Sequence, residues 1–153
     1  MNNKGFTLIE LLAIILLLAI VSTIGTYAVS SYIESARIKS DEILWENIKT
    51  ASKEYADECT SGVSSLTCGD ITSNPFIIET TIKQLAELGF LNTTTDNSNS
   101  VIVIDSNKND IGDCPIEIRR QVDSNYNVSY TFILENSNDS CKSLISIKNK
   151  KGE

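Results

Sequence analysis

The chain has 153 residues, 41% of them hydrophobic and 22% charged, enough for one domain with a core and too few to promise two. Its net charge of −7 opposes binding to phosphate backbones, and the absence of histidine removes the commonest general base and the commonest metal ligand. Nucleic-acid recognition and histidine-based catalysis are therefore poor starting points.

The N-terminal segment comes first in chain order. Every residue over 11–21 is apolar, and the stretch 6–29 makes about 36 Å of helix against a hydrocarbon core of about 30 Å. The sequence thus predicts a membrane-spanning helix over 6–29. Lys4 precedes it, so the positive-inside tendency keeps the short N-terminus in the cytoplasm and sends the remainder, 30–153, outward. A secretory signal peptide ending near Ala28-Val29-Ser30 is the rival reading, and the carboxylate of Glu10 early in the apolar run argues against it. Beyond the run, Ile33, Ala36, Leu44, Ile48, Ala51 and Tyr55 follow steps of three and four, with Ser40 filling the gap, while Glu34, Lys39, Asp41, Glu42, Glu46, Lys49, Lys53 and Glu54 take the other sides. With no proline between positions 6 and 59, one helix of about 50 residues is predicted, on the order of 80 Å long. Gly25 is its weakest point, at about 1 kcal/mol relative to alanine.

Glu10 needs an explanation. A carboxylate at the centre of a bilayer costs about 2.5 to 3.5 kcal/mol unless it finds a partner, although one turn inside the run it also reaches the interface by snorkelling. Lys4-Gly5 followed by Phe6-Thr7-Leu8-Ile9-Glu10-Leu11-Leu12 resembles the processing signal of the type IV filament family, the prepilins and pseudopilins, and the resemblance extends to about Tyr55. It implies that a prepilin peptidase cuts after Gly5, removing a leader of residues 1–5, and that Phe6 becomes N-methylated. It also implies an assembly role for Glu10, with Thr7 beside it, the carboxylate pairing with the freed Phe6 amine of a neighbouring subunit. Within a low-dielectric sheath either charge alone is costly, so the pair sets axial register. Leu8, Leu12, Ile15 and Ala19 supply the apolar cohesion. Many members of the family have a proline in mid-helix, where this chain has Gly25 and Tyr27. The implied partners are further copies in a helical filament, the peptidase, the assembly machinery and, before assembly, the membrane. The implied location is a single-pass cell-membrane precursor that becomes an extracellular filament.

The outward part reads as α+β, the long helix packing on a small antiparallel sheet. After Cys59 the stretch "CTSGVSSLTCGDITSNP" is an exposed loop punctuated by Asn74-Pro75. A short helix near 81–88 follows, with Thr81 and Gln84 as a capping box, Ile82, Leu85 and Leu88 as its face, and Gly89 then Phe90 as a stop folding back on Leu85. Strands are predicted over 101–104, 116–122, 126–134 and 144–147, with Asp123-Ser124-Asn125 turning the middle pair into a hairpin.

Four cysteines fit an oxidising exterior. They allow three connectivities, of which Cys59 with Cys68 and Cys114 with Cys141 is the simplest. Zinc would want a short C-x-x-C spacing and a catalytic thiol a histidine, and the chain has neither. In "DSNKNDIGD", Asp105, Asn107 and Asn109 follow the one-three-five oxygen spacing of calcium loops. Asp110 stands where the loop glycine belongs and no glutamate closes the loop, so a solvated turn explains the same residues; some pseudopilins hold calcium in the head. No cofactor, metal or catalytic residue is expected, and hence no enzyme. Asn92-Thr93-Thr94, Asn127-Val128-Ser129 and Asn138-Asp139-Ser140 match a glycosylation pattern that polar loops produce by chance. Lys148, Lys150 and Lys151 read as a solvated basic tail. Two functions remain: a filament subunit, pilin or competence or type II secretion pseudopilin, and a monomeric anchored domain whose head binds a ligand.

Overall fold

Aliphatic residues without helix breakers, led by a threonine, start the first element: α1 spans Leu8–Thr60. The computed structural model describes residues 7–62, 66, 68–95, 100–135 and 139–151, the side chains of 23–28, 94, 140, 150 and 151 excepted. It divides into two units, Met1–Arg37 and Ile38–Glu153, and α1 contributes residues to each.

In the first unit the stretch 8–21 of α1 is aliphatic apart from Glu10, and its side chains are exposed, Leu8 by 83% and Leu17 by 64%. Ser22 donates its hydroxyl to the Leu18 carbonyl at 2.6 Å, so this polar group is satisfied within the helix. Among the described residues no helix is long and apolar enough to cross a membrane. The apolar stretch with described side chains, 8–22, makes about 22 Å of helix, short of the roughly 30 Å required. The span expected over 6–29 also takes in position 6 and the side chains of 23–28, Gly25 and Tyr27 among them, which lie outside the described residues.

The second unit is built on the striped half of α1. Trp45, Ile48, Ala51, Ser52, Tyr55, Ala56 and Cys59 are its buried face. Trp45 is part of this stripe although the sequence reading placed Leu44 there; Leu44 is only partly buried. Against it stands an antiparallel sheet in the order β1-β4-β5, made of β1 (Phe76–Thr81), β4 (Pro115–Val122) and β5 (Val128–Leu134). Inward residues stack in register across the three strands, Ile78 with Ile118 and Phe132, and Thr80 with Ile116 and Leu134. A separate two-stranded ribbon joins β2 (Thr94–Thr95) to β3 (Val101–Ile102). The short helix α2 (Ile82–Glu87) is capped by Thr81, whose hydroxyl accepts from the Gln84 amide at 3.2 Å. Gln84 does not complete the box: its side-chain oxygen accepts from the Thr80 hydroxyl at 3.1 Å. Gly89, at φ 87°, ends the segment, and the Phe90 ring turns onto Tyr55 edge to face, centroids 5.5 Å apart.

The structure differs from the expectation in two places. Residues 76–80, assigned to no element between the loop ending at Pro75 and the helix near 81–88, form β1 with Thr81, an edge strand with alternating burial. Residues 144–147, read as a strand, lie in the helix α3 (Lys142–Lys151), which follows a 3-10 turn, Asp139–Cys141. A four-residue apolar run fits either period; what decides is that Cys141, Leu144 and Ile147 are all buried, at steps of three. Both sheet edges are covered in part. A Cβ on Gly69 would meet the Ile77 carbonyl of β1 at 3.2 Å, so the chain passes close there, and Lys148 donates its ammonium to the Phe132 carbonyl of β5 at 3.0 Å.

Candidate functional site

At the start of α1 the amide and the hydroxyl of Thr7 both donate to Glu10 Oε2, at 3.0 and 2.9 Å, and the Glu10 amide donates back to Thr7 Oγ1 at 3.4 Å. This is a reciprocal capping box in the sequence T-x-x-E. It satisfies donors that open a helix and places a negative charge at the positive end of the helix dipole. Both bonds fall on Oε2, so a carboxylate of this kind has a second oxygen with which to accept from a cation brought to the helix end. The sequence reading named Thr7 and Glu10 without seeing that they bond each other; the T-x-x-E spacing was the signal for it. Lys4, Gly5 and Phe6 lie outside the described residues.

The other candidates sit in the second unit. Cys59 is bonded to Cys68 and Cys114 to Cys141. The first bridge closes the loop after α1, and the second ties the entry of β4 to the entry of α3. With sequence separations of 9 and 27, the chain-entropy model assigns them about 2.5 and about 3.5 kcal/mol.

The calcium-like loop has a different construction. Asp105 Oδ1 accepts the amides of Asn107 and Asn109, at 2.9 and 2.8 Å, and Oδ2 accepts the Asn109 side-chain amide at 2.9 Å. The carboxylate is thus engaged by N–H donors, and Asn109 offers nitrogen where a metal would need oxygen. Burial pushes the Asp105 carboxyl up, but the bonds from Asn109, Ser143 and Asn107 outweigh it and hold it below the usual carboxylate range. Asp123-Ser124-Asn125-Tyr126-Asn127 repeats the design, with Asn125 and Asn127 amides on Oδ1, both at 2.8 Å, and the Asn127 side chain on Oδ2 at 3.0 Å. In both loops the fourth residue has a positive φ, 66° at Lys108 and 63° at Tyr126. D-S-N-x-N is therefore a self-bonded turn, used twice, and the calcium reading of Asp105, Asn107 and Asn109 is set aside. Among the described residues no group of three His, Cys, Asp or Glu is placed to hold a metal. Asp41, also buried, is likewise engaged: it accepts the amide and the hydroxyl of Ser106, each at 2.7 Å.

A capped, aliphatic helix leading to a disulfide-bridged α+β unit defines a class in which the N-terminal segment carries the distinguishing chemistry. Residues 1–26 match the family model of the prokaryotic N-terminal methylation motif, the processing signal of type IV prepilins and pseudopilins. No curated protein and no solved structure matches the chain.

Proposed function

We propose that the chain is the precursor of a structural, non-enzymatic subunit of a type IV pilus or a related filament. The match of residues 1–26 to the methylation motif carries this reading. A peptidase would cut after Gly5, whose missing side chain permits close approach to the backbone, and the new Phe6 amine would be methylated. The apolar stretch 6–29 holds the precursor in the cell membrane with 30–153 outside. In the single subunit the Thr7 cap keeps the Glu10 carboxylate hydrogen-bonded, which lowers the cost of a charge at the edge of hydrocarbon. During stacking, the Phe6 amine of a neighbour reaches Oε1, and the pair fixes the stagger because either charge left alone in a dry helical sheath is costly. The exposed aliphatic side chains of α1 are then covered by those of other copies. The two disulfides, with a head of about 95 residues, favour a pilin over a small secretion pseudopilin.

Intact-mass analysis of the protein from its native cells tests the reading. A chain beginning at methylated Phe6 is expected; a chain still beginning at Met1 would favour a monomeric, membrane-anchored binding domain.

A further inference from the structure

Two cavities of similar size and opposite charge lie beside β5. One, of about 270 Å3, is lined by Trp45, Lys49, Tyr130, Thr131, Phe132 and Lys148 and contains cations but no acid. The other, of about 300 Å3, is lined by Glu79, Glu117 and Glu135 with Pro115, Ile116 and Ile133, and contains acids but no cation.

The cations of the first are held in place. Lys49 Nζ stands 5.9 Å from the centre of the Trp45 ring and 3.1 Å from Glu46, and Lys148 is fixed to the Phe132 carbonyl. At the rim, Lys53 Nζ stands 5.5 Å from the Tyr130 ring. Ammonium groups over aromatic faces are ordered at little further entropic cost; Glu46 offsets the charge of Lys49, so Lys53 and Lys148 supply the groove's prearranged positive charge.

The second cavity carries a local cost. Glu79 and Glu117 are directly opposite each other on paired strands, a like-charge arrangement that destabilises a sheet and that Arg119, bonded to Glu117, relieves only in part. A cation delivered from outside would relieve the rest.

We propose that the cationic groove of Lys49, Lys53 and Lys148 docks a second copy of this chain, through the glutamate face of Glu79, Glu117 and Glu135. The inference rests on the filament reading above and names a contact within it. Each copy carries both surfaces, so each gives one to a neighbour before it and one to a neighbour after it. Such a heterologous contact propagates as a helical array when its rotation does not close. Charge fixes the order of approach and excludes pairings of groove on groove.

The test uses the full chain in its native cells. Sheared filaments are treated with a zero-length carbodiimide, and cross-links are mapped after mixing isotopically labelled and unlabelled subunits. Links between Lys49, Lys53 or Lys148 of one copy and Glu79, Glu117 or Glu135 of another are expected. Reversing one side (Lys53→Glu with Lys148→Glu) or the other (Glu79→Lys with Glu117→Lys) should each lower sheared polymer roughly tenfold, and all four reversals together should recover it to within about threefold. Should a reversed head fail to oxidise its disulfides, Lys53→Gln and Glu79→Gln replace it; both positions are exposed, and each should lower filament yield at low salt and make the yield less dependent on salt. Filaments that cross-link only through other pairs, or neutral variants with wild-type yield and salt response, overturn this contact and leave the filament reading intact. A wild-type chain that is never cut and never polymerises overturns the filament reading and the contact with it.

Discussion

Ser52 and Tyr126 are in surroundings or a conformation that their chemistry does not favour. Ser52 is fully buried on α1, and its hydroxyl has no hydrogen-bond partner among the described residues. Replacing it by alanine removes an unsatisfied group at almost no change in volume, so Ser52→Ala should raise the unfolding free energy by about 1 kcal/mol, read from denaturant midpoints of the purified chain. Tyr126 is 88% exposed with φ 63°, a left-handed conformation costing an L-residue about 1 kcal/mol or more. Tyr126→Asn should therefore stabilise the head by a similar amount in the same measurement. Thr7 acts through Glu10. Thr7→Val deletes one donor to Oε2 and the acceptor for the Glu10 amide, a capping loss of about 1 kcal/mol. Thr7→Ser keeps both, so filament yield should fall for valine and hold for serine.

At the scale of elements, acid should loosen the turns before the sheet. The carboxyls of Asp105 and Asp123 are held below their ordinary range, at Asp123 chiefly by the Asn127 side chain and amide. A depressed folded value means that this stabilisation is complete above the unfolded value, about 3.9, and is lost as pH falls through the lower folded values. Stability measured from pH 6 down to pH 2 should decline below about pH 4, and Asp105→Asn should flatten that decline while lowering stability at pH 6. Helix and sheet are further joined where the Tyr130 hydroxyl donates to Asp57, with Arg120 Nε 3.5 Å from the same oxygen. Burial first, then the Asp57 carboxylate, pushes the Tyr130 phenol up, so it stays a donor through neutral pH.

The elements also show how far the sequence was legible. The stripe Ile48, Ala51 and Tyr55, the Thr81 cap and the Asp123 hairpin follow from spacing and turn chemistry, which are local. β1 was missed because Phe76–Thr81 follows a run of Ser, Thr, Asn and Pro and takes its identity from pairing with β4, some forty residues on. α3 was missed because "LISI" fits either period, and only burial against the rest of the head separates them. The capping role of Thr7 was legible as T-x-x-E, a spacing contained within the first turn. The self-bonded turn at Asp105 was not legible because oxygen spacing does not say which way the amides turn.

For the molecule as a whole, the assembly reading predicts that processing and polymerisation separate. Glu10→Ala should be cut and inserted normally, yet give at least roughly tenfold less sheared filament, since an unpaired amine in the dry sheath costs more than 1.4 kcal/mol by order of magnitude. Gly5→Leu should block trimming and leave the full-length precursor, visible as a mass difference. Immunostaining of sheared surface material with an antibody to the head separates an abundant fibre from a rare accessory subunit. The motif at residues 1–26 is short and local, so sequence reveals it; the two surfaces proposed to dock are made of side chains on β1, β4, β5, α1 and α3 that come together only after folding.

The twice-used D-S-N-x-N turn has a practical corollary. Its cage closes on its own asparagines and backbone, so nothing but handedness restricts the residue at its apex. Positions 108 and 126 are thus natural grafting points: a fluorophore or short epitope installed there, with glycine or asparagine as the least demanding occupant, would decorate the fibre and leave its hairpins undisturbed.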